Sequence, residues 1–308
     1  MDKIILHAYP PSPVTEKVRV GFGIKQLDWH AVTVPRIPPK PLLMPLTAGY
    51  RRAPVMQIGA DIYCDSQCIL RELERRFPAP TFFPGGAEGM VWGISRWCDG
   101  ELFTFVVKLV MAAIADELPK DFAKDRARLY LGPDTTFDQL SNDLPHLISQ
   151  IRAQFGWIDQ RLATGRAFML GDNPGLPDIM TYYLVWFLRG RWAGGDDFLK
   201  QFPALIDWEQ RMKDIGHGNE AEMQAEEALE IAKAATHSTR QHTDPEDPLG
   251  LESGMSISVT QDLDGGDPQV NGILHYADRE TIAILHENDQ VGTVCIHFPR
   301  VGYRISAG

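Results

Sequence analysis

The pattern of apolar and polar positions divides the chain into three stretches. In the first, Ile4-Ile5-Leu6-His7 reads as a strand, and Val14, Val18 and Phe22 recur on one face of a helix ending near Gly23 to Leu27. Pro13 suits the first position of that helix, which makes Ser12 its N-cap. Residues 30–34 read as a second strand, and the five prolines between Pro35 and Pro45 exclude a long helix after it. Val55, Met56 and Ile58, a turn at Gly59-Ala60-Asp61, and Ile62-Tyr63 read as a β-hairpin. Asp65-Ser66 then opens a helix carrying Ile69, Leu70 and Leu73.

A stretch rich in proline and glycine, 77–89, separates this part from a helical one. Residues 90–115 place Trp97, Phe105 and Leu109 on one face, and 140–162 repeat the period through Leu144, Ile148, Ile151, Phe155 and Ile158. Helices are also expected over 182–192, from Phe202 onward, and over the acidic stretch 220–235. A polar linker, 236–254, leads to the third stretch, with short strands at 257–259, 272–276, 282–285, 291–297 and 303–305. The reading is α+β, with domains at 1–80, 89–236 and 255–308. About fifty residues of strand are marginal alone, so the last of these must dock on the body or on a partner.

At 308 residues and 44% hydrophobic composition, the chain can bury two substantial cores. No apolar run is long enough for a membrane span, and Met1-Asp2-Lys3 leads straight into a strand with no signal peptide, so a cytoplasmic protein is expected. Four irregularly spaced cysteines (Cys64, Cys68, Cys98, Cys295) argue against a disulfide framework and a zinc site. Cys64 and Cys68 are expected to be buried structural thiols. Asp262, Asp264, Gly265, Gly266 and Asp267 hint at a calcium loop, but no glutamate follows at the required spacing, and no metal is expected. A net charge of −11 disfavours nucleic acid and membrane surfaces. An anionic ligand would need local positive charge, and Arg19, Arg36, Lys40, Arg51 and Arg52 form a basic island near the N-terminus.

Two motifs carry a resemblance. Ser12-Pro13, three residues, then Lys17-Val18-Arg19 resembles the active-site turn of serine- or cysteine-type glutathione transferases, such as the tau and omega classes. Ala53-Pro54, a hairpin and Asp65-Ser66 resemble the glutathione-binding half of their thioredoxin-like domain. Farther on, Gly175 to Asp178 resembles the capping motif of the family's all-helical second domain, with Gly175 replacing the usual serine or threonine. The resemblance implies a cis Pro54, with Ala53 pairing to the cysteinyl unit of glutathione through its backbone. Asp65 and Ser66 would hold the γ-glutamyl end; for the glycyl end Lys40, Arg51 and Arg52 are candidates by charge, and Arg52 also stands where the family commonly has a lysine before the cis proline. Ser12 would be the catalytic hydroxyl, with Tyr9 in reserve. Trp97, Glu101 and Phe105 would line an acceptor pocket between domains.

The function so implied is a cytosolic, homodimeric glutathione transferase. It would use glutathione as co-substrate and a small electrophile as partner. Related readings are a glutathione-dependent isomerase, ether-cleaving enzyme or dehalogenase. A different reading is a non-catalytic binding or assembly module. The β extension is expected to add stability or assembly contacts, with His297 and Arg300 as the residues in it best suited to chemistry.

Overall fold

Strands dominate both ends of the chain and helices its middle. The computed structural model describes residues 2–131, 137–240, 242–262 and 267–307. These divide into two compact units, one of residues 1–18, 27–75 and 219–308, the other of 19–26 and 76–218.

The N-terminal stretch begins as the pattern predicts: β1 (Ile4–Ala8), α1 (Pro13–Lys25), β2 (Asp28–Thr33), one helical turn α2 (Met44–Thr47), β3 (Val55–Ile58), β4 (Asp61–Cys64) and α3 (Ser66–Arg76). Only α2 forms in the proline-rich segment, as the loss of backbone donors requires. β1 runs parallel to β2 and antiparallel to β3, and β3 pairs antiparallel with β4. The Ala53-Pro54 bond is cis.

The helical unit contains α4 (Glu88–Trp97), α5 (Phe103–Ala113), α6 (Lys120–Arg126), α7 (Phe137–Leu162), α8 (Leu176–Arg191), α9 (Gly195–Leu199) and α10 (Pro203–Ile215). A wider turn at Cys98–Leu102 joins α4 to α5. Asp178, fully buried, accepts from the Gly175 and Met169 amides, both at 2.9 Å, and from the Trp208 indole at 2.8 Å. It ties the start of α8 to α10. Among the described residues no helix is long and apolar enough to cross a membrane.

The chain then returns to the first unit through β5 (Asn219–Glu222), α11 (Ala225–Ala234), β6 (Ser256–Gln261), β7 (Val270–Ala277), β8 (Thr281–Asn288), β9 (Gly292–Pro299) and β10 (Tyr303–Ala307). The expected helix over 220–235 therefore needs correction at its start. Residues 219–222 pair in parallel with β2 from Asp28↔Asn219 to Ala31↔Glu222, because the outer edge of β2 has backbone groups to satisfy. The helix begins only at Ala225.

The ten strands of the described residues form one sheet, in the order β10-β6-β7-β8-β9-β4-β3-β1-β2-β5. β9 runs parallel to β4, with Asp61↔Cys295, Ile62↔Ile296 and Tyr63↔His297 in register. The C-terminal strands thus continue the N-terminal sheet. Their apolar face (Ile257, Val259, Ile282, Ile284, Val294, Ile296, Phe298) shares one core with Val55, Ile62, Leu43, Leu46 and Leu229. Ile273 departs from this pattern and is 45% exposed.

The described residues between 236 and 254 hold no helix or strand, yet they are pinned to the sheet rather than left as a free polar linker. The Ser238 amide donates to Asp61 (2.9 Å), Arg300 donates to Asp247 (2.6 Å), and Leu251 is buried.

Candidate active site

Ser12 is 2% exposed at the start of α1, and its Oγ accepts the Thr15 amide at 3.3 Å. This is the cap geometry that Ser-Pro predicts. Lys17, on the same helix and also buried, donates from Nζ to Ser66 Oγ at 3.0 Å, drawing the start of α3 against α1. Lys17 was given no role by the sequence, because an amphipathic pattern does not distinguish a buried lysine from a solvated one.

Asp65 caps α3: its Oδ1 accepts the Gln67 amide at 2.8 Å, and its backbone φ is +76°. A non-glycine residue there is held against its preference. Its Oδ2 accepts the hydroxyl of Tyr303, on β10, at 3.1 Å. The Tyr50 hydroxyl lies 3.1 Å from that of Tyr303, and Gln261 Nε2 donates to Tyr303 at 3.2 Å. Since Tyr303 has one proton and gives it to Asp65, Tyr50 donates to Tyr303. Burial, and then the charge of Asp65, push both phenols well above the usual tyrosine range, so both remain protonated donors.

The basic residues around this group are already engaged within the chain. Arg52 Nε donates to Asp267 Oδ2 at 2.5 Å, and Arg51 Nε lies 3.7 Å from Asp267 Oδ1. Arg51, Arg52 and Asp267 have only 7%, 14% and 11% side-chain exposure. Asp267 was considered above as part of a calcium loop, and it is instead a counter-ion for arginines. Asp262 pairs with Arg304 at 3.0 Å, and residues 263–266 of that motif lie outside the described residues. Lys40 is buried with Nζ 5.8 Å from the ring centre of Tyr9.

Trp97, Glu101 and Phe105 lie in the helical unit. Trp97 donates to Gln154 at 2.7 Å, Gln154 donates to Glu101 at 3.3 Å, and Phe105 meets His146 edge-on at 6.2 Å. The four cysteines are buried and unbridged. Desolvation, then the neighbouring charge of Asp65, pushes the Cys64 thiol up, and desolvation followed by Cys64, Glu72 and Asp65 does the same for Cys68. Such thiols are poor nucleophiles.

His297 and Arg300 act as ties. His297 Nε2 pairs with Asp61 Oδ1 at 2.8 Å, its Nδ1 lies 3.3 Å from the Tyr276 hydroxyl, and its ring stacks on Tyr63 at 4.4 Å. Asp61, Cys295 and His297 bring an oxygen, a sulfur and a nitrogen within 4.8 Å of one another. Both Asp61 oxygens and both His297 nitrogens already have hydrogen-bond partners, so the cluster is accounted for as a link between β4 and β9.

Comparison with known proteins agrees with this architecture. The sequence profile of the glutathione S-transferase N-terminal domain matches residues 6–81, and that of the C-terminal domain matches residues 111–211. Glutathione S-transferase U4 of Arabidopsis thaliana is 21% identical over 238 residues, 75% of this chain and 94% of the relative. A crystal structure of a GST-like protein from Pseudomonas syringae covers 100% of both chains at 32% identity, with a TM-score of 0.79. A glutathione transferase family member from Pseudomonas fluorescens, solved with two glutathione bound, covers 68% of this chain and 88% of its own at 15% identity, with a TM-score of 0.51. With both domain profiles in sequence and a full-length structural match, the chain belongs to the glutathione S-transferase family.

Proposed function

We propose that this protein binds glutathione against α1 and α3 and activates its thiol through Ser12, for attack on a small electrophile. One observation carries the reading. The capped start of α1 and the start of α3 are drawn together in one unit by the Lys17–Ser66 bond, which supports reading Ser12, Asp65 and Ser66 as one site. Two helix N-termini there favour an anion. In this reading Asp65 takes the α-ammonium of glutathione, Ser66 and the α3 amides take the γ-glutamyl carboxylate, and the backbone of Ala53 pairs with the cysteinyl unit.

The chemistry asked of Ser12 is modest. A thiol near pKa 8.5 needs about 2.7 kcal/mol of preference for its anion to ionise about two units lower. A hydrogen bond to a charged acceptor supplies about 1.5–3 kcal/mol and a helix N-terminus about 0.3–1 kcal/mol. Ser12 Oγ can accept from Thr15 and still donate its own proton to sulfur. With the thiol proton released to solvent, the thiolate forms the carbon–sulfur bond as the bond to the leaving group on that carbon breaks and the group departs with its electron pair. Lys40 is the residue for the glycyl carboxylate in this reading. Arg52 is less suited to that role than the sequence implies, because Asp267 already engages it.

Ser12→Ala should raise the pKa of bound glutathione toward 8.5 and lower turnover at neutral pH by 10- to 100-fold, leaving glutathione affinity within a few-fold. An ultraviolet titration of the bound thiolate measures the shift. An unchanged pKa in Ser12→Ala, with a raised one in Tyr9→Phe, would transfer the role to Tyr9.

A further inference from the structure

The C-terminal strands bring a side chain into the group just assigned to glutathione. Tyr303 is separated from Asp65 by 238 positions, and the two meet because β10 closes the sheet on β6 and its phenol reaches the start of α3. Tyr303 is 8% exposed, and its hydroxyl donates to Asp65 and accepts from Tyr50 and Gln261. Asp65 itself remains partly exposed.

We propose that Tyr303 is a positioning residue for the α-ammonium of the γ-glutamyl unit. It fixes the rotamer of Asp65 from the buried side, so that the outer side of the carboxylate faces the ligand. The proposal rests on the glutathione reading above and adds to it that the β extension is part of the binding site. Three features support it. The Gln67 amide and the Tyr303 hydroxyl each hold one oxygen of the carboxylate, so contacts from two elements set its orientation. Asp65 has a left-handed backbone that its own preference does not enforce, so its side-chain direction depends on partners. Behind Tyr303 stands a second donor, Tyr50, which orients the phenol's own proton toward Asp65. An anchor that only held the extension to the body could have been apolar, since Phe298 and Tyr50 already pack there.

The test compares two ligands on the full-length protein: glutathione, and its des-amino analogue in which a glutaryl group replaces γ-glutamyl. Tyr303→Phe should weaken glutathione binding by about tenfold, seen as a raised Kd by calorimetry and a raised KM, with kcat at saturation within twofold. The analogue lacks the ammonium, so it should bind the unaltered protein and Tyr303→Phe equally. Asp65→Asn should reproduce the loss, and adding Tyr303→Phe to it should change little more. Tyr50→Phe keeps the Tyr303 phenol and should give a smaller loss with the same dependence on the ammonium, which guards against a misfolded Tyr303→Phe.

Equal weakening of both ligands would make Tyr303 a structural anchor and overturn the proposal, as would unchanged glutathione affinity in Tyr303→Phe. Failure of the unaltered protein to bind glutathione would overturn the glutathione reading and this one together. Binding by the unaltered protein with no ammonium-dependent loss in the variants overturns this one alone.

Discussion

His7 shows how one buried side chain sets a pH dependence that can be assigned a sign. It is fully buried on β1, with Nε2 2.8 Å from Gln57 Oε1. Gln57 Nε2 donates to the carbonyls of Gly59 and Ala228, so its oxygen faces His7 and Nε2 must carry the proton of a neutral ring. Desolvation, only partly opposed by this bond, lowers the His7 pKa to about 4. Unfolded chains take up the proton near pH 6.5 and the folded protein only near 4, so stability falls as pH drops through that window, by about 3 kcal/mol in all. His7→Gln removes this contribution. Its stability relative to the unaltered protein should rise by up to about 3 kcal/mol between pH 7 and pH 4 in urea unfolding. Parallel curves would show that His7 does not titrate on unfolding. Asp178 has the opposite sign: burial raises its pKa to about 6, so its contribution favours the folded helical unit as pH falls toward 4.

At the scale of elements, the start of α8 is where a cap rule read from sequence meets packing. Gly175 takes the place of a serine or threonine, and residue preferences alone predict that restoring either would stabilise the helix. A Cβ at Gly175 would lie 2.7 Å from the Phe82 carbonyl oxygen and 2.8 Å from Pro84 Cδ, both in a segment held to the helix start by the Leu176 amide. Gly175→Ser should therefore destabilise the protein by about 1–3 kcal/mol, since backbone must move to admit the side chain. A raised melting temperature for this variant would refute the steric account. The strand β5 carries the same lesson. Glu220, Ala221 and Glu222 are all exposed and include no large apolar side chain, so nothing in their pattern signals a strand. The open edge of β2 decides it.

For the molecule as a whole, the C-terminal strands are needed by the fold. Ile257, Ile282, Ile284, Val294, Ile296 and Phe298 are buried in the same core as Val55 and Ile62. Full burial of such side chains is worth about 1.5–3 kcal/mol each, so six of them together are comparable to the roughly 5–15 kcal/mol net stability of a typical domain. A chain ending near His237 should leave this core open and the edge of β4 unpaired. It should fail to show a cooperative unfolding transition, or should aggregate. A truncated protein with an unchanged melting temperature would instead make the extension a detachable module.

Short-range chemistry was legible in the sequence. The Ser12 cap before Pro13, the hairpin between Pro54 and Asp65, the Asp65-Ser66 helix start, the Asp178 motif and the C-terminal strands each depend on neighbours within a few positions, and each is written there. Their resemblance to one family followed from the same local signals. Tertiary structure alone decided what the strands pair with and which distant groups meet: β9 beside β4, Tyr303 on Asp65, Asp267 on Arg51 and Arg52, Lys17 on Ser66. These contacts span from 49 to 238 positions. No periodicity encodes them, because a residue's face is set by its own element but its partner is set by how the elements stack.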